Sequence, residues 1–165
     1  MPSLGREKGP SNVSEKGASE VDYDALLVLI DCMEQTPPLS REEMVELSAS
    51  QHAVVERMLA TGQTWNQASS GPAILSLNEG EFLDHLKAID NNLGEQTAIV
   101  AAAFARYLHL GEVPAPYYPW RIAIILRREK KLELEKRFLA AWCEHFAGGN
   151  GTRYGQLVDR YRKLA

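Results

Sequence analysis

The chain has 165 residues, of which 45% are hydrophobic and 24% charged, and its formal net charge is −4 at pH 7. This length predicts one domain with a core of its own rather than two domains. No run approaches the roughly 20 apolar residues that a membrane span needs, and the polar N-terminus lacks the apolar centre of a secretory signal, so we expect a cytoplasmic protein without membrane partners.

The first twenty residues predict a disordered polar tail. Residues 1–20 are rich in Gly, Ser, Pro, Lys and Glu and contain almost no large apolar residue, so burial cannot offset the entropy cost of ordering them. A single helical domain is therefore expected over residues 21–165. Its first helix is predicted to begin with Asp22 or Asp24 as the cap and to end near Gln35, before two prolines.

The clearest local signal is S-R-E-E at positions 40–43, a capping box in which Ser40 and Glu43 satisfy N–H groups at a helix start. The helix should reach about Ala60, with Gly62 just past its end. The sequence does not predict one secondary structure for residues 62–78. Gly71 and the next proline mark a turn, whereas the apolar run 73–77 could be extended or helical. The inward side of the capped helix is predicted to contain Met44, Leu47, Val54, Val55, Met58 and Leu59.

Two further helices are predicted before residue 111. The third begins at Asn78 or Glu79 and stops near residues 91–94, and the fourth runs from Glu95 to about Leu110. The fourth helix is rich in alanine, whose small side chains would let a neighbouring helix pack very closely against it. These alanines are Ala98, Ala101, Ala102, Ala103 and Ala105.

The stretch 119–146 predicts two central helices that fold back on each other across a charged turn at residues 129–131. Pro119 suits the first turn of a helix, and the nearly unbroken apolar run 122–126 indicates a segment buried on most sides. Taken alone, that run could equally form a buried strand. The proline before it and the charged, helical continuation after it favour a helix.

This stretch resembles a tetratricopeptide-type helical hairpin, in one copy that covers under a fifth of the chain. Glu135 departs from the family pattern, which requires a small residue there so that the two helices can approach closely. The resemblance implies a scaffold that binds other proteins, without catalytic residues, although an ordinary hairpin in an unrelated all-α domain fits equally well. The matching residues are Ile122, Ala123 and Leu126 in the first helix, Leu132 after the turn, and Phe138, Leu139 and Trp142 in the second.

A flexible turn at residues 148–151 and a cap at Thr152 introduce the last predicted helix, which is amphipathic. About seven helices are therefore expected, and no set of strands with period two competes with them. The predicted fold class is all-α, with helices in antiparallel hairpins that form an irregular bundle or a short tetratricopeptide-like solenoid.

No constellation of residues predicts catalysis or metal binding. His52 and Glu56 are four residues apart on one helix, but the further ligands of a metal site are missing. Cys32 and Cys143 have no partner at C-x-x-C spacing, so we expect two buried free thiols. The sequence therefore predicts no enzyme activity, no cofactor and no metal.

The segment 114–121, here called the aromatic-proline segment, predicts a binding surface. It combines three prolines with Tyr117, Tyr118, Trp120 and Arg121, and Tyr, Trp and Arg are the residue types that most often carry binding energy in protein interfaces. The alternative is that these side chains fill the gap between two helices. An exposed Tyr117 or Tyr118 would be the first contact residue to expect.

The charges are divided unevenly along the chain. Residues 1–110 carry 7 Lys/Arg and 16 Asp/Glu, whereas residues 111–165 carry 11 Lys/Arg and 6 Asp/Glu. Either the two halves attract each other, or basic residues such as Arg127, Arg128 and Lys131 meet an acidic partner. We therefore predict a small non-catalytic helical adaptor that binds another protein or its own copy. The alternative is a subunit that binds nucleic acid through the basic C-terminal third.

Overall fold

The computed structural model describes residues 17–62 and 78–165, and every regular element in these ranges is an α-helix. The all-α prediction is therefore confirmed for the described part of the chain. Residues 1–16 of the predicted tail and the ambiguous residues 63–77 lie outside it. The seven helices are α1 (Glu20–Gln35), α2 (Arg41–Thr61), α3 (Glu79–Ile89), α4 (Leu93–Leu110), α5 (Tyr117–Arg128), α6 (Leu132–Phe146) and α7 (Thr152–Leu164).

Capping boxes define the starts of the first three helices. The box predicted at Ser40 is confirmed, and α3 opens with the same motif at Asn78. The cap predicted for α1 is wrong, because Ser19 caps this helix and the Asp22 side chain accepts from the Ser19 N–H at 2.9 Å. Asp22 is thus the third residue of α1 and completes the box rather than starting the helix.

Helix α5 lies at the centre of the fold and packs against α4, α6 and α7. Four of its side chains, Ile122, Ala123, Ile125 and Leu126, are completely buried. The run that could have formed a strand is therefore helical, as the flanking residues indicated. The helix begins two residues before Pro119, whose missing N–H costs nothing in the first turn.

The remaining core comes mainly from α1, α4, α6 and α7, and α3 contributes Ile89. Phe138 and Leu139 of α6 are fully buried, and the rings of Tyr107 and Phe146 meet at 4.7 Å in an edge-to-face arrangement. Such contacts between rings add to the apolar burial. None of the helices in the described ranges is long and apolar enough to cross a membrane.

Helix α2 lies at the edge of the fold, with α4 as its principal neighbour. Gln51 donates a hydrogen bond to the carbonyl of Leu110 at 3.0 Å, which ties α2 to the end of α4. Val54 is buried, but Val55 and Leu59 are 43% and 83% exposed. The prediction that these two residues face inward is wrong, because one principal neighbour covers only a narrow stripe of a helix.

The prediction that Cys32 of α1 is buried is wrong. Cys143 is buried as predicted, and burial raises the pKa of its thiol, whereas Cys32 is exposed. Cys32 lies on the same side of α1 as Val21 and Val28, which are 75% and 69% exposed. The buried side of this helix is formed instead by Leu26, Leu29, Ile30 and Met33.

Candidate functional site

The basic residues of α5 are engaged within the molecule. Arg121 donates from Nε and Nη2 to the carbonyl oxygen of Asp90, at 3.0 and 2.9 Å. Arg128 donates to the side-chain oxygen of Asn91 at 2.8 Å. Both arginines therefore hold the turn between α3 and α4, and Arg121 satisfies the backbone carbonyl at the end of α3.

The two tyrosines of the aromatic-proline segment are also held inside the fold. The hydroxyl of Tyr117 donates to the Asp90 carboxylate, and burial together with this hydrogen bond raises the pKa of Tyr117 to about 12. Tyr118 is only 8% exposed, and its ring meets that of Tyr117 edge to face at 5.5 Å. Neither tyrosine is the fully exposed contact residue that the sequence suggested.

Glu135 occupies the position where the tetratricopeptide pattern requires a small residue, and it is completely buried. Its two carboxylate oxygens lie 3.1 Å from Arg127 Nε and 2.5 Å from Arg160 Nε. Arg160 also donates to the carbonyl of Ala123 at 3.3 Å. The carboxylate is compensated because guanidinium groups from two other helices reach it.

The remaining predicted contact residues pack against other side chains. The guanidinium carbons of Arg153 and Arg160 lie 4.8 and 5.5 Å from the centre of the Trp120 ring, at distances typical of cation–π contacts. The Lys131 ammonium group lies 5.2 Å from the ring centre of Tyr23. The aromatic and basic residues predicted for one surface are thus divided among several intramolecular contacts.

Contacts between the acidic and basic halves of the chain also occur away from α5. Arg137 of α6 lies 2.6 Å from carboxylate oxygens of both Asp31 and Glu34 on α1. With the pair between Arg121 and Asp90 at 3.4 Å, the C-terminal third binds acidic groups of the N-terminal part at two places. This arrangement agrees with the first interpretation of the charge division, in which the halves attract each other.

An apolar groove, the α3–α4 groove, runs between α3, α4 and the segment 112–118, and its volume is about 420 Å³. Ala98 and Ala102 form part of its floor and are exposed. The predicted close packing of a helix on these alanines is not found among the described residues. The groove is lined by His85, Glu95, Ala98, Ile99, Ala102, Ala103, Arg106, Glu112, Val113, Pro114, Ala115 and Tyr118.

Two contacts fix the wall of the groove formed by residues 112–115. Arg106 of α4 pairs with Glu112 through two hydrogen bonds of 2.9 and 2.8 Å. The hydroxyl of Tyr154 on α7 donates to the carbonyl of Pro114, and burial raises the pKa of Tyr154 to about 12. The wall formed by residues 112–115 is therefore attached to both α4 and α7.

His85 provides a polar group within this apolar groove. Its Nε2 atom is buried and has no hydrogen-bond partner among the described residues. A buried nitrogen without a partner is uncommon in folded proteins.

The sequence singled out only part of this site. Tyr118 was predicted as a contact residue and lines the groove, but His85, Ile99 and Val113 were missed. The alanine pattern was recognised and was assigned to helix packing. His52 and Glu56 are exposed on α2, and within residues 17–62 and 78–165 no three His, Cys, Asp or Glu side chains are grouped as metal ligands would be.

No protein-family model matches the sequence, and none of the curated proteins or solved structures compared with it does so either.

Proposed function

We propose that this protein is a small, non-catalytic, cytoplasmic helical adaptor that binds another protein through the α3–α4 groove. The groove is the observation that carries the proposal, because it is apolar, open to solvent along Ala98 and Ala102, and attached firmly to the core. A solvent-exposed apolar cleft of this kind is a common feature of binding sites. The resemblance of residues 119–146 to a tetratricopeptide hairpin agrees with a scaffold role.

The shape of the groove favours a polypeptide ligand. Its floor follows α4 from Glu95 to Arg106, which corresponds to about 17 Å along the helix axis. Alanine at positions 98 and 102 keeps this floor low, so a partner backbone can approach closely. Helix-in-groove binding uses an apolar cleft of this form, several turns in length.

A photo-crosslinking amino acid at position 98 tests the proposal. We expect it to form an adduct with a second protein in an extract of the source cells, and nuclease treatment should leave that adduct intact. The same amino acid at Ala25, an exposed position on α1, is the matched control. Equal adducts from both positions, or an adduct that disappears with nuclease, would contradict protein binding at the groove.

Nucleic-acid binding is the second candidate, favoured by a shallow groove of about 530 Å³ whose lining includes Trp120, Arg127, Arg160 and Lys163. Three intramolecular contacts weaken it, since Arg127 and Arg160 are both paired with Glu135 and the Trp120 ring is covered by Arg153. Base stacking on Trp120 would first have to displace that guanidinium. Retention on heparin that is lost when Arg127, Arg128 and Lys131 are reversed in charge would favour this candidate.

A further inference from the structure

The charges around the α3–α4 groove are predominantly acidic. Glu95 and Glu112 line the groove directly. On α3, Glu81 lies one turn before the groove residue His85 on the same side of the helix. The only charged base among the groove-lining residues is Arg106, which is already paired with Glu112 at 2.8 Å.

This charge balance favours a partner with positively charged residues. The groove and the adjacent side of α3 present three carboxylates, Glu81, Glu95 and Glu112, and one guanidinium, which neutralises Glu112. A ligand with basic residues beside its apolar contacts would gain attraction at the rim, whereas an acidic ligand would be repelled.

The surface of the groove favours a partner segment that is helical rather than extended. No strand edge is present in residues 17–62 or 78–165, so β-strand addition has no template in the described part of the chain. Ala98 and Ala102 lie one turn apart on α4, and small residues at this spacing let a second helix lie close to the first. Ile99 and Val113 supply larger apolar surface on either side.

We infer that the occupant of the α3–α4 groove is a basic amphipathic helix of a partner protein. Its apolar residues, spaced by three, four and seven positions, lie on Ala98 and Ala102, and its lysines and arginines face Glu95 and Glu81 at the start of α3. This inference rests on the proposed function and specifies the partner's chemistry.

The test uses the full chain and two synthetic helical peptides of about four turns. One has leucines along one side flanked by lysine and arginine, and the other has glutamate in place of every basic residue. Fluorescence anisotropy should show saturable binding of the basic peptide that weakens as salt is raised. The acidic peptide should bind at least about tenfold more weakly.

Variants locate the binding. Ala102→Phe fills the floor at an exposed position and should weaken the basic peptide by about tenfold or more, and Ala98→Phe provides a second, independent block. The variant Glu95→Lys reverses the charge of the lining carboxylate that Arg106 does not neutralise, and it should remove the preference for the basic peptide. Ala25→Phe and Glu144→Lys, at exposed positions on α1 and α6, are matched controls that should leave binding unchanged.

The outcomes separate the inference from the proposed function. If both peptides bind equally and Ala102→Phe weakens both, the basic partner is wrong while protein docking at the groove stands. If neither peptide binds, or neither alanine variant changes binding, the helix inference is overturned, and the crosslinking experiment at position 98 decides the proposed function separately. A crosslink from position 102 to a second copy, or to residues 63–77 of the same chain, would identify a different occupant and overturn the inference.

Discussion

Helices α5 and α2 show how unevenly this protein distributes its burial. Of the 12 residues of α5, six are buried, whereas α2 has 21 residues and only Val54 is a buried hydrophobic residue there. Helix α5 touches three other helices, and α2 has one principal neighbour. Stability should therefore reside in the bundle around α5, while the periphery is free to present surface to a partner.

The largest loss of stability is expected from a substitution inside the bundle around α5. Phe138→Ala removes a ring that is completely buried and should lower the free energy of unfolding by about 3–5 kcal/mol. Leu59→Ala on α2, at a side chain 83% exposed, should change it by less than about 0.5 kcal/mol. Urea denaturation followed by circular dichroism measures both. Equal costs would show that α2 is packed as firmly as the centre.

The buried ion-pair network should give the next largest effect. Glu135→Ala leaves Arg127 and Arg160 without their carboxylate, and we expect a loss of about 2–3 kcal/mol, because Arg127 is half exposed and can be hydrated. Glu133→Ala, at an exposed position of the same helix, is the control and should be nearly neutral. If Glu135→Ala is also neutral in urea denaturation, the network does not hold α5, α6 and α7 together.

The tyrosines of the bundle predict a loss of stability at high pH. Burial raises the pKa of Tyr117 and Tyr154 to about 12, whereas the pKa of tyrosine in an unfolded chain is about 10. Since a raised pKa favours the protonated folded state, this stability is complete below pH ~10 and is lost as the pH rises towards about 12.

The double variant Tyr117→Phe/Tyr154→Phe tests whether these two tyrosines cause the loss of stability at high pH. Its free energy of unfolding should fall less steeply over this pH range than that of the wild type, as measured by urea denaturation at a series of pH values. In the wild type, tyrosinate absorbance should show late-ionising groups that include Tyr117 and Tyr154, and the double variant should lose part of this absorbance change. An unchanged slope in the variant would assign the pH dependence to other groups.

The smallest effect is expected where the two halves of the chain meet in solvent. Arg137→Ala removes the contacts to Asp31 and Glu34, which are exposed, so it should lower the melting temperature only slightly and at low salt. Added salt should remove the difference from the wild type. Lys136→Ala deletes the adjacent positive charge without removing these two contacts. A large effect of Arg137→Ala that persists at high salt would contradict this expectation.

Local signals in the sequence predicted the type and order of the helices, but not every cap. The predicted cap at Thr152 is wrong, because Thr152 is the first residue of α7 and Gly151 precedes it without a side-chain cap. The box at Ser40 contains a glutamate at its third helical position and was recognised. The box at Ser19 has Asp22 in that place, and the shorter acidic side chain was interpreted as a cap instead. The apolar run 122–126 was ambiguous by periodicity, and its flanking residues identified it correctly because a proline and a charged continuation suit a helix.

Contacts between residues that are distant in the sequence were harder to predict from it. Glu135 was recognised as a departure from a pattern, but its partners Arg127 and Arg160 are eight and 25 residues away, and only the packing of three helices brings them together. The alanines of α4 indicated a place where a backbone can come close. Their spacing does not say whether a helix of this chain or of another protein occupies that place, which is why the groove itself was not predicted.

The hydrogen bond from Tyr154 to the carbonyl of Pro114 connects the turn before α7 to the wall of the groove. A Cβ atom on Gly149 would come within 2.6 Å of the Tyr154 ring, so even alanine at this position must displace the ring. Because that ring anchors one side of the cleft, a single methyl group at residue 149 should alter the width of the cleft without touching any residue that lines it. A substitution in this turn would then change which ligands fit into the groove.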